Sequence, residues 1–210
     1  MSEYFDGKIL VAPPRIADWR FAKTVLHLWK HDVAGAAGCI INKPMNHPSF
    51  ERVCTEAKVQ KLKNINPMMY YGGPIMDNLI GCLHTTDYTL TSTNIKKDIN
   101  IGYTLDKKII EDIASGIAKP KQYQMCIGIA SWDAGQLEAE IECEPPRISG
   151  SSWLVLDYDP KLVFSGKQPS FWEHCLNLAI QQKTNSFTNI FVKLTVFSNW
   201  GRYLHFVEFC

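Results

Sequence analysis

The stretch YQMCIGIASWDAGQLEAEIE, residues 123–142, carries the clearest strand and helix signals of this sequence. Residues 123–130 form an apolar run that is typical of a buried strand. Residues 133–136 then have the spacing of a helix start, in which the glutamine side chain reaches back to the capping residue. Leu137 and Ile141 follow on one helix face. We therefore predict a buried strand that leads directly into a helix.

A strand over the acidic part of this stretch is the competing interpretation. It would place the glutamates at positions 138, 140, 142 and 144 in one row, about 7 Å apart, where their carboxylates would repel one another modestly. Because Gln, Leu, Ala and Glu are all good helix formers, the helix is favoured.

The chain before this stretch predicts further strands. Residues 7–12 are an apolar run that ends at two prolines, which is typical of a buried strand. Residues 18–31 fit two structures: apolar residues recur at helical spacing after a possible cap, Asp18, but residues 25–31 also alternate as in a strand. A turn-like segment and the apolar run 39–41 follow, so we predict a strand and a β-hairpin.

The remaining elements follow from apolar periodicity and from capping and turn residues. We predict strands at residues 68–71, 79–84 and 153–158, a tight turn at Gly72-Gly73-Pro74, and helices begun by Ser49, Asp106 and Ser170 that end near Leu62, Gly116 and Gln182. Two strand-like runs, residues 189–197 and 203–209, predict a terminal β-hairpin.

Composition restricts the class of protein. The chain has 210 residues, of which 46% are hydrophobic and 20% are charged. This is typical of one globular domain with a full apolar core. Apolar runs are far shorter than the ~20 residues of a membrane span, and residues 1–8 do not look like the start of a signal peptide. We therefore expect a cytoplasmic protein that does not cross a membrane.

The cysteines are expected to be buried, reduced thiols. They stand at positions 39, 54, 82, 126, 143, 175 and 210, and no Cys-x-x-Cys pair typical of zinc or redox sites occurs. Most lie in apolar runs, where a free cysteine packs as a small hydrophobic residue. Cys210, at the end of the chain, has no role that the sequence indicates.

Motifs for cofactor binding and catalysis are absent from the sequence, so we predict no cofactor. His27 and His31 could share a metal ion on a helix, but on a strand they would lie ~13 Å apart, and we predict no metal site. His84 precedes Thr85 and Asp87 and could act as a base. A hydrogen bond from its ring to the backbone at a strand end is the favoured interpretation.

The charge pattern favours a protein partner. Twenty-two Lys and Arg against 21 Asp and Glu give a net charge of +1, which argues against a dedicated nucleic-acid binder. Seven acids lie between Asp133 and Asp159, where Arg147 is the single base. Because such an acidic patch repels phosphate and attracts basic proteins or cations, we expect a protein partner or self-association and no direct nucleic-acid binding.

Taken together, these motifs resemble the YqgE/AlgH family of bacterial proteins. The matching pieces, in order, are residues 7–12 with Pro14, Phe21 with residues 25–31, residues 35–44, 71–75, 82–84, 128–132 and 135–141, Trp153-Leu154, and residues 164–172. Ser131, in place of a usual glycine, and Arg15 depart from the family pattern.

The resemblance implies a fold and a domain division. It implies an α+β class with a single domain, residues 1–182, built on a curved, barrel-like mixed sheet packed by helices. Residues 183–210 continue past the usual end of the family and are strongly apolar. We expect this extension to be a β-hairpin that joins the sheet or docks on a partner.

Three functions are compatible with the resemblance. The family is often labelled a transcriptional regulator without an established activity, so the first is a non-enzymatic regulatory or protein-binding domain. The second is a structural or assembly component that uses residues 183–210 as its interface, and the third is an enzyme that uses His31, His84 and Glu138. The binding residues implied by the resemblance are Asn42, Gly72, Gly73, Pro74, His84, Trp132, Gly135, Gln136 and Glu138.

Overall fold

Strand β9 (Tyr123–Asp133) connects the two halves of the sheet. It pairs antiparallel with β3 (Gly35–Ile40) and with β6 (Ile75–Thr85), and parallel with β5 (Met69–Tyr71). Residues 124–130 of β9 are all buried. A strand covered on both faces needs no polar face, which explains the continuous apolar run in the sequence.

The computed structural model describes residues 4–62, 64–142, 152–166 and 168–197, with side chains up to residue 186. The other strands are β1 (Ile9–Val11), β2 (Val25–Asp32), β4 (Pro44–Met45), β7 (Asn94–Lys96), β8 (Ile101–Thr104) and β10 (Leu154–Leu156). The helices are α1 (Phe50–Glu56), α2 (Lys108–Ser115), α3 (Gln136–Glu142), α4 (Pro160–Val163) and α5 (Phe171–Phe197), with a short 3-10 helix at Trp19–Phe21.

The sheet has the order β10-β1-β2-β3-β9-β6-β8-β7, and β4 and β5 form a branch beside β9. Pairing is antiparallel except between β5 and β9, so the sheet is mixed. The predicted α+β class and single domain are confirmed. Among the described strands the sheet is open, with β10 and β7 at its ends, and does not close into a barrel.

Both faces of the sheet are covered. Alternation along β1 sends Ile9 and Val11 to one face, where Cys39, Tyr103 and the start of α5 pack. Leu10 points to the other face and packs with Trp132, Leu137 and Trp153. A third cluster joins α1 and α2 to the ends of β6 and β9. The second of these clusters forms the floor of the candidate site.

The hairpin predicted from residues 25–41 is confirmed as β2 and β3, and the alternative helix is wrong for this segment. Asp18 does cap a helix, but only the short 3-10 turn at Trp19–Phe21. The strand and helix predicted from residues 123–142 are confirmed as β9 and α3. Helix α1 ends at Glu56 and not near Leu62 as predicted. Strand β6 covers Ile75–Thr85 and is longer than the predicted strand at residues 79–84.

The predicted terminal hairpin is wrong in its first strand. Residues 189–197 continue helix α5, which runs without a break from Phe171. The second run, residues 203–209, lies outside the described residues. The assembly role of residues 183–210 stays a prediction, although its first half is helical. Strands β4, β7 and β8 and helix α4 were not predicted.

Five cysteines lie in the described part of the chain, at positions 39, 54, 82, 126 and 175, and all five are buried free thiols. Burial raises the pKa of the Cys175 thiol to about 12, which keeps it protonated and unreactive at neutral pH. Cys143 and Cys210 lie outside the described residues. Within the described segments, no helix combines the length and the apolar character that a membrane crossing requires.

Candidate functional site

Helix α3 begins where β9 ends, and this junction shapes the candidate site. The backbone N–H of Asp133 donates a 3.0 Å hydrogen bond to Oε1 of Gln136, the return contact expected from the sequence. Gly135 lies between them with φ of +72°, a left-handed conformation that favours glycine. Buried Leu137 fixes the helix on the sheet. Gln136 and Glu140, one turn apart, therefore face the same side.

Glu140 joins two tryptophans from separate parts of the sheet. Its Oε2 accepts hydrogen bonds from Nε1 of Trp132 at 2.8 Å and from Nε1 of Trp153 at 2.9 Å. Its Oε1 accepts a bond from Nε2 of Gln136 at 3.0 Å. Trp132 belongs to β9, whereas Trp153 directly precedes β10, and three strands, β1, β2 and β3, lie between β9 and β10 in the sheet order. One carboxylate thus orients both indole rings.

Phe21, the last residue of the 3-10 helix, completes an aromatic corner. Its ring centroid lies 6.4 Å from that of Trp132, with the planes 25° apart. It lies 5.4 Å from the ring of Trp153 at 78°, and the two indoles are 6.0 Å apart at 81°. Two rings are nearly parallel and the third is nearly perpendicular to both, and at these centroid distances the three rings contact one another as one aromatic cluster.

A cavity of about 390 Å³ opens beside these rings, and we call it the aromatic cavity. Besides the three rings, Gln136 and Glu140, its wall includes Ile16, Asp18, Arg20, Pro74, Ile75 and Ser131. Its volume falls in the range of sites that hold small molecules or single side chains. The cavity combines apolar walls with a few fixed polar groups, which is the usual composition of a binding site.

Asp18 and Arg20 form an ion pair in the cavity wall. Nε of Arg20 lies 3.0 Å from each carboxylate oxygen of Asp18, and Nη2 lies 2.6 Å from Oδ2. The hydrogen bond from Arg20 lowers the pKa of Asp18, so the carboxylate stays ionised. The arginine charge is therefore already matched within the wall.

Large apolar side chains stand exposed beside the cavity. Trp19, between the lining residues Asp18 and Arg20 in the chain, is 82% exposed. Ile75 lines the cavity and is 41% exposed, and Met76 next to it is 57% exposed. We call Trp19, Ile75 and Met76 the apolar rim. Exposed tryptophan and methionine beside a pocket are typical of protein-binding surfaces.

The rim is carried in part by a large bulge in β6. Ile75 pairs with Ile129 and Ile80 with Ile127, so four intervening residues on β6 face one on β9. Met76, within the bulge, has φ of +54°, which is rare for a residue with a side chain. Bulges of this kind often aim side chains at functional sites.

The Gly72-Gly73-Pro74 turn crosses β9 at very short range. A Cβ on Gly72 would lie 2.2 Å from the carbonyl oxygen of Gly128, and one on Gly73 would lie 2.2 Å from the carbonyl of Ile129. The space beside both glycines is therefore filled by the protein's own backbone and does not admit a ligand. The crossing carries Pro74 to the cavity wall.

Comparison with known proteins places this fold and its motifs in a family. The profile of the AlgH-like family matches residues 9–183. The chain belongs to the AlgH-like family. A UPF0301 protein of Jannaschia sp. (strain CCS1) is 35% identical over 170 residues, covering 80% of this chain and 84% of that protein. A UPF0301 protein of Bradyrhizobium sp. is 34% identical over 172 residues, and the match covers 77% of this chain and 74% of that protein.

Solved structures agree with this membership in the AlgH-like family. The solution structure of the AlgH protein from Pseudomonas aeruginosa has a TM-score of 0.64 and 25% identity, and the match covers 97% of this chain and all of that one. A crystal structure of a protein from Corynebacterium diphtheriae has a TM-score of 0.55 at 19% identity, covering 78% of this chain and 81% of its own, and shows the shared fold alone.

His31 and Glu138 meet in this AlgH-like chain, away from the aromatic cavity. Nε2 of His31 lies 3.2 Å from Oε1 of Glu138, and the backbone N–H of Phe5 donates to Nδ1 at 2.8 Å. Because Nδ1 accepts, Nε2 is the ring nitrogen that is left to donate towards Glu138. Tyr4 and Phe5 pack against the imidazole ring, and His31 as a whole is 4% exposed. The His31 side chain is fully covered, that of Glu138 is 22% exposed, and neither residue lines the aromatic cavity.

His84 lies at the opposite end of β9. His84 pairs with Tyr123 of β9. His31 pairs with Ala36 of β3, and Ala36 pairs with Trp132 at the other end of β9. Nine residues of β9 separate these positions, which is roughly 30 Å of strand. His84 is therefore far from the His31–Glu138 pair, and the three residues of the enzyme hypothesis do not form one site.

The contacts of His84 indicate a structural role. Its ring nitrogens bond the carbonyl of Thr85 at 3.0 Å and the hydroxyl of Thr104 at 2.8 Å. Burial lowers the pKa of His84, so the ring is neutral and bridges β6 and β8. The hydrogen bond to the backbone is the interpretation that the sequence favoured.

Asn42 is also remote from the aromatic cavity. Its Oδ1 accepts from the backbone N–H of Val25 at 2.8 Å, and its Nδ2 donates to the carbonyl of Lys23 at 3.0 Å. These bonds hold the start of β2 to the end of β3. Asn42 borders a separate cavity of about 270 Å³, which includes Trp172 and Glu173.

The sequence-predicted binding residues thus divide into groups. Pro74, Trp132 and Gln136 line the aromatic cavity, and Gly72, Gly73 and Gly135 shape the backbone around it. Asn42, His84 and Glu138 lie elsewhere. Phe21, Glu140 and Trp153 were not predicted as binding residues, and the one usable signal in the sequence was the spacing of four between Gln136 and Glu140.

His27 and His31 point to opposite faces of the sheet. Leu28 pairs with Gly38 and Lys30 with Ala37, so one extra residue interrupts the alternation between the two histidines. His27 packs near Tyr158 on one face, whereas His31 meets Glu138 on the other. No group of metal-ligating side chains occurs in the part of the chain that the structure describes.

His27 predicts acid sensitivity. It is fully buried, and burial lowers its pKa from 6.5 to about 4. The unfolded chain binds this proton near pH 6.5 and the folded chain does not, so stability is complete above pH 6.5 and falls as pH drops towards 4. The loss attributable to His27 is about 3 kcal/mol.

Replacing His27 by leucine should remove this part of the pH dependence. Neither ring nitrogen has a hydrogen-bond partner among the described residues, so the substitution breaks no bond. Urea unfolding of wild type and His27→Leu, each at pH 7 and at pH 4.5, measures how much unfolding free energy each protein loses between the two pH values. If both proteins lose the same free energy of unfolding, His27 is not the responsible group.

Proposed function

We propose that this member of the AlgH-like family is a non-enzymatic domain that binds another protein through the aromatic cavity and the apolar rim. The observation that supports this most strongly is Trp19, which is 82% exposed directly beside a pocket floored by Trp132 and Trp153. Exposing an indole to water gains nothing for folding. Tryptophan and arginine, both present here, are the residues most enriched at binding hot spots.

The chemistry of the cavity supports binding more than catalysis. Among its described lining residues none is a histidine, cysteine or lysine. The three charged side chains, Asp18, Arg20 and Glu140, are engaged with neighbouring groups. Ser131 also lines the cavity, but the acids among the described lining residues are engaged with other groups and none is placed to activate its hydroxyl, so these polar groups orient a ligand and do not supply an activated nucleophile.

A protein partner is favoured over nucleic acid. The described lining residues carry two acids, Asp18 and Glu140, against one base, Arg20, which is already paired with Asp18, so a phosphate group would gain little here. The proposal includes the cytoplasmic location expected from the composition and the regulatory role that the family resemblance implies, with the domain acting through a bound protein and not through DNA.

Removing the apolar rim should abolish partner capture. We expect Trp19→Ser combined with Met76→Ser in the full chain to reduce the recovered partner at least tenfold, which corresponds to about 1.4 kcal/mol. Affinity capture from the native cell, quantified by mass spectrometry, measures this.

Leu62→Ser combined with Ile117→Ser is the matched control. These side chains are 57% and 84% exposed, close to the values of 57% for Met76 and 82% for Trp19, and they lie beside α2 and away from the cavity. The control should capture the partner as wild type does. Equal recovery by both double variants would contradict the proposed surface.

A further inference from the structure

We propose that residues 203–209 of this chain, which lie outside the described residues, add a strand to the open edge of β10 and fill the groove between that edge and α5. The inference concerns a surface other than the aromatic cavity and does not depend on the proposed function. Three observations support it: the direction of the backbone groups of β10, the composition of the groove, and the length of chain that follows α5.

Strand β10 lies at one end of the described sheet and pairs with β1. The direction of the backbone groups in β1 follows from its other neighbour, β2. The carbonyl of Lys8 accepts a hydrogen bond from the N–H of Leu28 at 3.0 Å, so Lys8 and every second residue after it direct their backbone groups towards β2. Leu10 is one of these residues, and its N–H and C=O therefore do not face β10.

The backbone of Val155 faces the open edge. Val155 lies opposite Leu10 in the register of β10 and β1. Because opposite residues of an antiparallel pair direct their backbone groups either both towards each other or both away, the N–H and C=O of Val155 point outward. Asp157 points the same way, and its N–H donates to Oε1 of Gln182 in α5 at 3.0 Å. Among the described strands, none pairs with this edge.

A groove of about 310 Å³ lies at this edge. Leu154 packs with the core cluster on one face of the sheet and Val155 with the cluster on the other, and both line the groove while only partly buried. The other described lining residues come from α3, from the residue before β10 and from one face of α5: Ile141, Trp153, Ala179, Gln182, Lys183 and Ser186. Five of the eight are apolar, so an added strand would bury apolar surface here.

The sequence of residues 203–209, YLHFVEF, suits this groove. In a strand, the odd positions place Tyr, His, Val and Phe on one face and the even positions place Leu, Phe and Glu on the other. Both faces are largely apolar, which is typical of a strand that is covered on both sides. Glu208 is the one acid of the segment, and Lys183 is the one charged residue of the described groove wall, so the two charges are opposite.

The chain after α5 is long enough to return to the groove. Ser186 lies eleven residues before the end of α5 at Phe197, which is about 16 Å along the helix axis. Residues 198–202 span up to about 17 Å when extended, so residue 203 reaches the level of the groove. Seven residues of strand then cover about 23 Å, which exceeds the length of the three-residue strand β10.

Residues 143–151 are the other segment outside the described residues that adjoins β10 in the sequence. They contain Pro145 and Pro146, which lack the N–H that a strand donates to its neighbour. They also have to connect the end of α3 to the start of β10. Residues 203–209 contain no proline and have no such connection to make, and they are therefore the occupant that we infer.

Amide hydrogen exchange of the full chain, followed residue by residue by nuclear magnetic resonance, tests the inference. We expect the N–H of Val155 to exchange at least about a hundredfold more slowly than in an unstructured peptide, because a strand on the outer edge would bond it. The N–H of Leu28, bonded to Lys8 inside the sheet, is the reference for an intact fold. Unprotected Val155 beside protected Leu28 would overturn the inference.

His205→Pro combined with Phe206→Pro should remove the protection of Val155 and leave that of Leu28. Because adjacent residues of a strand direct their N–H groups to opposite sides, one of the two prolines removes a pairing donor in either register. Asn199→Pro combined with Trp200→Pro, in the connecting residues, is the matched control and should leave Val155 protected. Protection that survives the first pair of prolines would mean that another group covers the edge, and the inference would be wrong.

Dilution separates docking within one chain from strand exchange with a second copy. Docking within the chain predicts the same exchange rate of Val155 over about a twentyfold range of protein concentration. Protection that is lost on dilution, together with dissociation of a dimer in sedimentation, would assign the added strand to a second copy and contradict the proposal.

Discussion

Replacing Gly73 by alanine should destabilise the fold by more than about 4 kcal/mol, the range that marks a specific structural failure. The added Cβ would lie 2.2 Å from both the carbonyl carbon and the oxygen of Ile129, which belong to backbone of the central strand. The approach is equally close from the other side, because a Cβ on Gly128 would lie 2.3 Å from the Gly73 carbonyl oxygen. Urea unfolding, or loss of soluble protein, measures the effect.

Gly135→Ala is the matched control for this substitution. Gly135 has φ of +72°, and nothing lies within 4 Å of an added Cβ. Only the left-handed backbone is penalised there, at about 1 kcal/mol. If Gly73→Ala and Gly135→Ala lowered the free energy of unfolding by similar amounts, the backbone contact between Gly73 and β9 would not be as close as described.

Replacing Glu140 by leucine should cost about 4 kcal/mol, because the indole N–H groups of Trp132 and Trp153 both lose their acceptor. Trp132 is 6% exposed and Trp153 is 3% exposed, so water compensates little. The aromatic cavity should also lose its shape. The variant should therefore differ from wild type in tryptophan fluorescence and in partner capture as well as in stability.

Glu140→Gln separates hydrogen bonding from charge. The glutamine carbonyl still accepts from the indoles, so we expect a loss of about 1 kcal/mol in unfolding free energy. Chemical denaturation of both variants provides the measurement. Leucine and glutamine variants of equal stability would mean that the carboxylate does not hold the two rings.

The elements that sequence analysis predicted correctly are those with strong local signals. The strand and helix of residues 123–142 follow from an apolar run, a capping residue and good helix formers, all within twenty positions. Alternation and helical spacing coexist in residues 18–31, and the hairpin was predicted because a turn-like segment and the apolar run 39–41 follow, with which the family resemblance agrees. Local patterns determined these elements and tertiary contacts agreed with them.

The failures have identifiable physical causes. Residues 189–197 are rich in residues with strand propensity, yet they extend a helix that starts at Phe171, and short apolar runs do not distinguish the two structures. Strand β8 includes Gly102, which has a low strand propensity. It is stabilised by pairing with β6, which is adjacent in the sheet but not in the sequence. Strand propensity depends on such partners and is a weak local signal.

The candidate site was predictable in part. Pro74, Trp132 and Gln136 were implied by motifs, but Phe21 and Trp153 reach the cavity through the sheet order, which no local pattern encodes. The implied glycines proved to serve a backbone crossing and a helix start. Glu138 and His84 occupy positions that are buried or paired elsewhere, which separates them from the cavity.

Site-specific photo-crosslinking in the native cell tests the central claim most directly. A benzophenone side chain is placed at position 19 beside the aromatic cavity, or at the equally exposed position 117 as a control. We predict a discrete protein adduct from position 19 that is absent from position 117 and is lost when Met76→Ser is added. No adduct at position 19, or the same adduct from both positions, would contradict a protein-binding role for this surface.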